Sequence, residues 1–127
     1  MSCASIVLKE LNIHVESFIS SELDSHAIKV EKQNFPDMIQ VGSVTDINVP
    51  ELVEKYGVPD FLCGGSPCQS FSFSGKMKGM STTQGEEIYT LNRYLELKSQ
   101  GFEFEGQSYL FWEYMRILTE LRNYNQN

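Results

Sequence analysis

The chain has 127 residues, 41% of them hydrophobic and 21% charged, with a formal net charge of −7. That length allows at most one small domain, burying roughly two-thirds of its unfolded surface, and the composition excludes a disordered chain. No apolar run approaches the roughly 18 residues of a membrane span, and ten Lys and Arg against seventeen acids argue against a grip on nucleic acid by this chain alone.

Ala4, Val7, Leu8 and Leu11 fall at helical spacing, which predicts an amphipathic helix over Ser2–Leu11. Val15–Ser20 follows as a strand. Asp24 or Ser25 can cap a helix running to Phe35, with Ala27, Ile28, Glu31 and Phe35 on one face. After the Pro36-Asp37 turn, Met38–Val41 is a second strand, closed by Gly42. Pro50 suits the first turn of a short helix through Tyr56, which Gly57 ends. Asp60–Cys63 is a short apolar run that reads as a third, buried strand. Gly75–Gly85 is a loop, and Glu86–Lys98 is a helix with Ile88, Leu91 and Leu95 as its stripe. Gly101–Gly106 is a turn or short hairpin. Ser108 can cap a last helix to Tyr124, with Phe111, Tyr114, Met115, Leu118 and Leu121 facing inward. Strands alternating with helices of about ten residues predict an α/β fold with a parallel sheet.

The stretch that carries chemistry is Gly64-Gly65-Ser66-Pro67-Cys68-Gln69-Ser70-Phe71-Ser72. A strand that ends in two glycines and then presents Ser-Pro-Cys suits the carboxyl end of an α/β sheet, where ligands bind. Pro67 fixes φ just before Cys68, and the glycines let another molecule approach the backbone closely. Cys68 is therefore placed as a nucleophile. A lone Cys can equally be a small buried hydrophobe. Cys63 and Cys68 can be metal ligands, but the remaining Cys3, His14 and His26 show no paired ligand spacing. The run nearly makes a G-x-S-x-G hydrolase elbow, but Cys68 stands in the place of the last glycine. Gly75-Lys76 fails as a phosphate loop, with Ser70 where the first glycine belongs.

Gly64–Ser72 followed by Gly75-Lys76 resembles the catalytic-loop motif of DNA (cytosine-5) methyltransferases, whose signature is the Pro-Cys pair. The resemblance implies a Rossmann-like, S-adenosylmethionine-dependent methyltransferase fold with an incomplete parallel sheet and flanking helices. It makes residues 1–127 a partial catalytic domain. Cys68 becomes the nucleophile on carbon 6 of cytosine, and Gln69, Ser72 and Lys76 the DNA contacts.

Glu22, directly after the first strand, stands where an acid takes the ribose hydroxyls of an adenosine cofactor. From spacing alone it is equally a solvated acid in the first turn of a helix. The resemblance matches Glu22-Leu23 to the family's second motif and favours the cofactor role. Ser43 falls where the family commonly has an Asp for the adenine amino group, with Asp46 as the alternative. Val44 supplies the apolar contact, or is a plain core residue. Ser108–Leu118 resembles the fifth motif, which makes Leu110 and the Pro67 of the loop further cofactor contacts.

The resemblance spans essentially the whole chain except for an insertion at about Met80–Gly106. It implies a middle segment, lacking the first motif and the Glu-Asn-Val motif of the family. The expected cofactor is S-adenosylmethionine, with no metal. The expected partners are DNA, once a recognition domain is supplied, and a complementing second chain, with no membrane. Three cysteines without framework spacing, and no charged-then-apolar leader, point to the cytoplasm. The competing reading is a non-catalytic remnant or decoy that keeps the fold and binds without methylating.

Overall fold

The structure is a computed structural model that describes residues 3–66 and 81–124. Pro67, Cys68, Gln69, Ser72 and Lys76, with most of the Gly75–Gly85 loop, lie outside the described residues. The chain forms two compact units, Met1–Cys63 and Gly64–Asn127. No helix among the described residues is long and apolar enough to cross a membrane.

In the first unit, α1 (Cys3–Glu10) precedes β1 (Ile19–Ser20), α2 (Ser25–Asn34) and β2 (Ile39–Gln40). The strands pair in parallel, Ile19 opposite Ile39 and Ser20 opposite Gln40. The ladder bonds include Ile39 N to Phe18 O and Val41 N to Ser20 O, each 2.9 Å. Both strands are shorter than the sequence predicts, since a two-stranded ladder is marginal by itself. Between them α2 begins as expected: Asp24 accepts from the backbone N–H groups of His26 and Ala27 at 2.7 and 2.9 Å. Those bonds hold the Asp24 carboxyl below its ordinary range. Glu31, buried on the inner face of α2, accepts from the Ser20 hydroxyl at 2.9 Å and so ties helix to strand. A 3₁₀ turn at Val44–Asp46 leads to α3 (Val49–Tyr56), capped by Asn48 and ended by Gly57 at φ 82°.

Two expectations fail in this unit. Asp60–Cys63 forms no strand, Phe61 is 61% exposed and Cys63 is exposed too. An extended apolar run needs a neighbouring strand to satisfy its backbone, and none pairs with it among the described residues. Helix α1 forms, but the row turned inward is Ala4, Ser5 and Leu8, not the expected set. Val7 and Leu11 are 55% and 63% exposed, since nothing in the unit covers their side of the helix.

The second unit is built on α4 (Leu91–Ser99) and α5 (Leu110–Tyr124). Ile88, Tyr94, Leu97 and Trp112 form its buried core, with Phe102, Phe104, Tyr109 and Met115 packed around them. Helix α4 starts at Leu91 instead of Glu86. Thr90 caps it by accepting from Arg93 N, while the stretch before it bridges, Ser81 to Glu87 and Thr82 to Phe104. Thr82 has no exposed surface; its N–H reaches Glu86 O and its hydroxyl accepts from Glu86 N. The β-branched and aromatic Ile88-Tyr89-Thr90 run prefers this extended course.

The expected stripe shifts as well: Tyr94 and Leu97 are buried, while Leu91 and Leu95 are half-buried. On α5 the buried residues are Trp112, Glu113, Ile117 and Leu121, whereas Phe111, Tyr114, Met115 and Leu118 are half-buried. Ser108 is buried but caps nothing: its Oγ has no partner among the described residues, and the carbonyls of Gln107, Ser108 and Tyr109 take up the first turn of α5.

Candidate active site

The residues marked for a cofactor in the first unit gather where both strands end. Glu22 lies two residues past the end of β1. Its N–H donates to the Gln40 side-chain oxygen at 3.3 Å, and its own Oε1 accepts from the N–H groups of Leu23 and Asp24 at 2.8 and 3.0 Å. Glu22 thus turns the chain from β1 into α2, with its carboxylate held by backbone at the carboxyl edge of the sheet. Leu23 is 71% exposed. A large apolar side chain left in water beside that edge has a surface free for an apolar contact.

Gln40 was not singled out from the sequence, because a polar residue in a short strand reads as solvent-facing. Its Oε1 also accepts from Gly42 N at 3.1 Å, so one side chain ties the ends of β1 and β2 together. Its Nε2 is buried and has no partner among the described residues. An orphaned donor beside Glu22 fits a ligand rich in acceptors, such as a nucleoside, at the strand ends.

Past β2, the Ser43 hydroxyl accepts from Thr45 N at 3.3 Å and lies 2.7 Å from the Thr45 hydroxyl. The Thr45 hydroxyl in turn donates to Asp46 Oδ1 at 3.0 Å. Ser43 and Asp46 therefore share one turn and one hydrogen-bond chain. Val44 is half-buried in the same turn.

In the second unit, Leu110 is the first residue of α5 and is half-buried. Gly64 lies against α5: a Cβ built there would meet the Tyr114 ring at 3.0 Å. A Cβ at Gly65 would meet nothing within 4 Å, so the second glycine faces open space.

The sequence matches the C-5 cytosine-specific DNA methylase family over residues 4–123. The chain belongs to that family. It is 36% identical over 101 residues to the type II methyltransferase M.NgoBV of Neisseria gonorrhoeae, covering 77% of this chain and 22% of that protein. It is 34% identical over 83 residues to M.HhaI of Haemophilus parahaemolyticus, covering 65% of this chain and 24% of that one. An orphan methyltransferase of Bacillus phage rho11s, M.Rho11sI, is 34% identical over 102 residues, covering 78% of this chain and 20% of its own length. The chain thus spans about a fifth to a quarter of the length of these relatives. Family membership implies a Rossmann-like methyltransferase fold, and the β1-α2-β2 unit with its parallel pairing is the portion of that sheet formed here.

The second unit holds a charged cluster that sequence reasoning missed. Glu113, with no exposed surface, accepts from the Tyr94 hydroxyl at 2.5 Å, from Arg116 Nε at 2.9 Å and from Lys98. Burial alone would raise its pKa, but the bonds from Lys98, Tyr94 and Arg116 outweigh it and hold the carboxyl below its ordinary value. Burial first, and the Glu113 bond second, push the Tyr94 hydroxyl well above the usual range. The expected inward set of α5 left Glu113 on the outer side, so nothing in the periodicity pointed to it.

Proposed function

We propose that this chain carries the nucleophile and part of the cofactor site of a DNA cytosine-5 methyltransferase, and that it serves as a portion of that catalytic domain. The observation that carries this reading is Gly64–Ser72 followed by Gly75-Lys76, within a family match that runs almost from end to end. Carbon 5 of cytosine is a weak nucleophile. Addition of the Cys68 thiolate to carbon 6 makes the ring enamine-like, so that carbon 5 can take up a methyl group. Loss of the carbon 5 proton and expulsion of the thiolate then restore the aromatic base and the enzyme. S-adenosylmethionine, when bound, supplies the methyl group as an electrophile. Reaching the base costs a few kcal/mol of unstacking, so Gln69, Ser72 and Lys76 act as DNA contacts beside the nucleophile.

Glu22 takes the ribose hydroxyls, Leu23 and Val44 make apolar contacts, and Pro67 and Leu110 complete the family's set. The orphaned Gln40 donor at the strand ends supports an adenosine ligand there. For the adenine amino group, Ser43 offers an oxygen already engaged with Thr45, whereas Asp46 adds a charge on the same turn.

The expected result for Glu22 is concrete. In a polypeptide that binds S-adenosylmethionine, Glu22→Ala weakens binding by roughly tenfold or more, as for a lost charged hydrogen bond. Calorimetric titration measures it, and an unchanged dissociation constant would return Glu22 to turning the chain into α2. The same titration separates the second reading. A net charge of −7 favours a decoy that does not grip DNA, and such a protein has no need to hold the cofactor.

A further inference from the structure

Beyond the bond from Val41 N to Ser20 O the two strands part. Glu22 leads one chain into α2, and Gly42, at φ 77°, leads the other into the Val44–Asp46 turn. Diverging chains have no ladder to fix the gap between them, yet two side-chain bonds cross this one. Ser21 Oγ donates to Gly42 O at 2.7 Å, and Glu22 N donates to Gln40 Oε1 at 3.3 Å. The same Oε1 accepts from Gly42 N at 3.1 Å, so one oxygen holds a backbone N–H from each side. Those bonds fix the orientation of the amide, since turning it over sets Nε2, itself a donor, against two N–H donors. That orientation leaves Nε2 buried with no partner among the described residues. An unpaired buried donor costs stability. The amide is therefore a poor choice for holding the unit together and a good one for holding Glu22 and Gly42 at a set separation.

We propose that Gln40 is a positioning residue for the cofactor edge: its Oε1 sets the gap between Glu22 on one side and the Ser43–Asp46 turn on the other. The inference rests on the reading of Glu22 as the acid for the ribose hydroxyls and of that turn as the adenine side. The braces already described are local to each strand end. Leu23 N and Asp24 N hold the Glu22 carboxylate, and Thr45 N holds the Ser43 hydroxyl. Neither brace reaches across the gap, whereas Gln40 and Ser21 do. The sugar and the base of an adenosine are joined by a single bond, so the spacing of their polar groups varies little. A site that meets both ends of such a ligand gains affinity when the gap is set before the ligand arrives.

The test is amide NMR of the full chain titrated with S-adenosylmethionine into the millimolar range, which reads the tie and the affinity together. In the wild type the Glu22 and Gly42 amide protons exchange slowly with solvent, and their signals move as the ligand binds. Gln40→Met keeps the length of the side chain and removes the oxygen and the orphaned donor together. Both amides then exchange faster, and affinity falls roughly fivefold, the equivalent of one neutral hydrogen bond. The decisive reading is the cycle with Glu22→Ala. That change costs roughly tenfold in the wild type but only about twofold in the Gln40→Met chain, because a carboxylate no longer held in place contributes less. A purely structural Gln40 lowers the melting temperature and leaves the cost of Glu22→Ala alone. Unchanged affinity in Gln40→Met, or the same cost of Glu22→Ala in both backgrounds, overturns the inference and leaves the reading of Glu22 standing. If Gln40→Met does not fold, Ser21→Ala cuts the other tie at an exposed position. An affinity lowered about twofold there supports the inference, and an unchanged one overturns it. A wild-type chain whose strand-end signals do not move overturns the cofactor reading, and the inference with it.

Discussion

Replacing Glu113 by alanine is expected to lower the melting temperature by at least about 10 °C. The carboxylate has no exposed surface and takes hydrogen bonds from Tyr94, Lys98 and Arg116. Removing it leaves the Tyr94 hydroxyl without its acceptor inside the core and strips Arg116, 13% exposed, of its inner partner. Breaking a buried pair from one side typically costs about 3–5 kcal/mol, a large share of the roughly 5–15 kcal/mol that holds a domain folded. Lys98 contributes less to that loss, because its side chain is 39% exposed and water can replace the carboxylate. Glu113→Gln keeps the shape and accepts from Tyr94, so it should lose clearly less than alanine. Equal losses for the two would mean that the charge alone carries the contribution and the shape none.

The same cluster gives the chain an acid limit. The folded pKa of Glu113 is depressed, so its contribution is fully present above the unfolded carboxyl pKa of about 4.3 and fades as pH falls through the lower folded value. Tyr94 works from the other end. Its raised pKa gives stability that is complete below about pH 10 and lost at higher pH. Acid melts followed by circular dichroism should show a steep loss below about pH 4 in the wild-type chain and a flatter profile in Glu113→Gln.

Local signals were legible in the sequence wherever a side chain acts on its own neighbourhood. Asp24 caps α2, Gly57 ends α3, and α2 runs from Ser25 to Asn34 within a residue of expectation. These depend on bonds that span only a few residues. Most of the failures involve partners distant in the sequence, with Ser108, which caps nothing, a local exception. Asp60–Cys63 has the composition of a buried strand but no ladder partner among the described residues, so the apolar run stays unpaired and Cys63 is exposed. An exposed Cys63 also lacks the burial that an apolar strand would have given its thiol. On α5, the apolar periodicity marked Phe111, Tyr114 and Met115 as inward. It could not register that Lys98 and Tyr94, two turns of another helix, would draw the acidic Glu113 into the core. For the site, the place of Glu22 just after a strand was legible, because it depends only on the local order of strand and helix. Gln40 was not, since its two backbone bonds join segments eighteen residues apart.

Residues 1–127 by themselves are expected to transfer no methyl group to DNA, with activity appearing only when further family segments are supplied in cis or in trans. The sheet offers two short strands, and the segment leading to the catalytic loop pairs with neither of them among the described residues. Catalysis needs the nucleophile fixed by its surroundings, since misplacement of about 1 Å can cost on the order of a hundredfold in rate. The charge works in the same direction. Binding to DNA depends on neutralising phosphates, and a chain with ten cations and seventeen acids repels them. The family's Glu-Asn-Val motif, whose Glu binds the cytosine ring, occurs nowhere in these residues. The measurement is transfer of labelled methyl groups from S-adenosylmethionine to unmethylated DNA by the purified chain, alone and mixed with the remaining segments of a related methyltransferase. No signal alone and a clear signal in the mixture, abolished by Cys68→Ala, is the expected pattern. Robust transfer by the isolated chain would show that a cysteine loop on so small a sheet is sufficient for the chemistry. A mixture that stays inactive and binds neither cofactor nor DNA would favour the decoy.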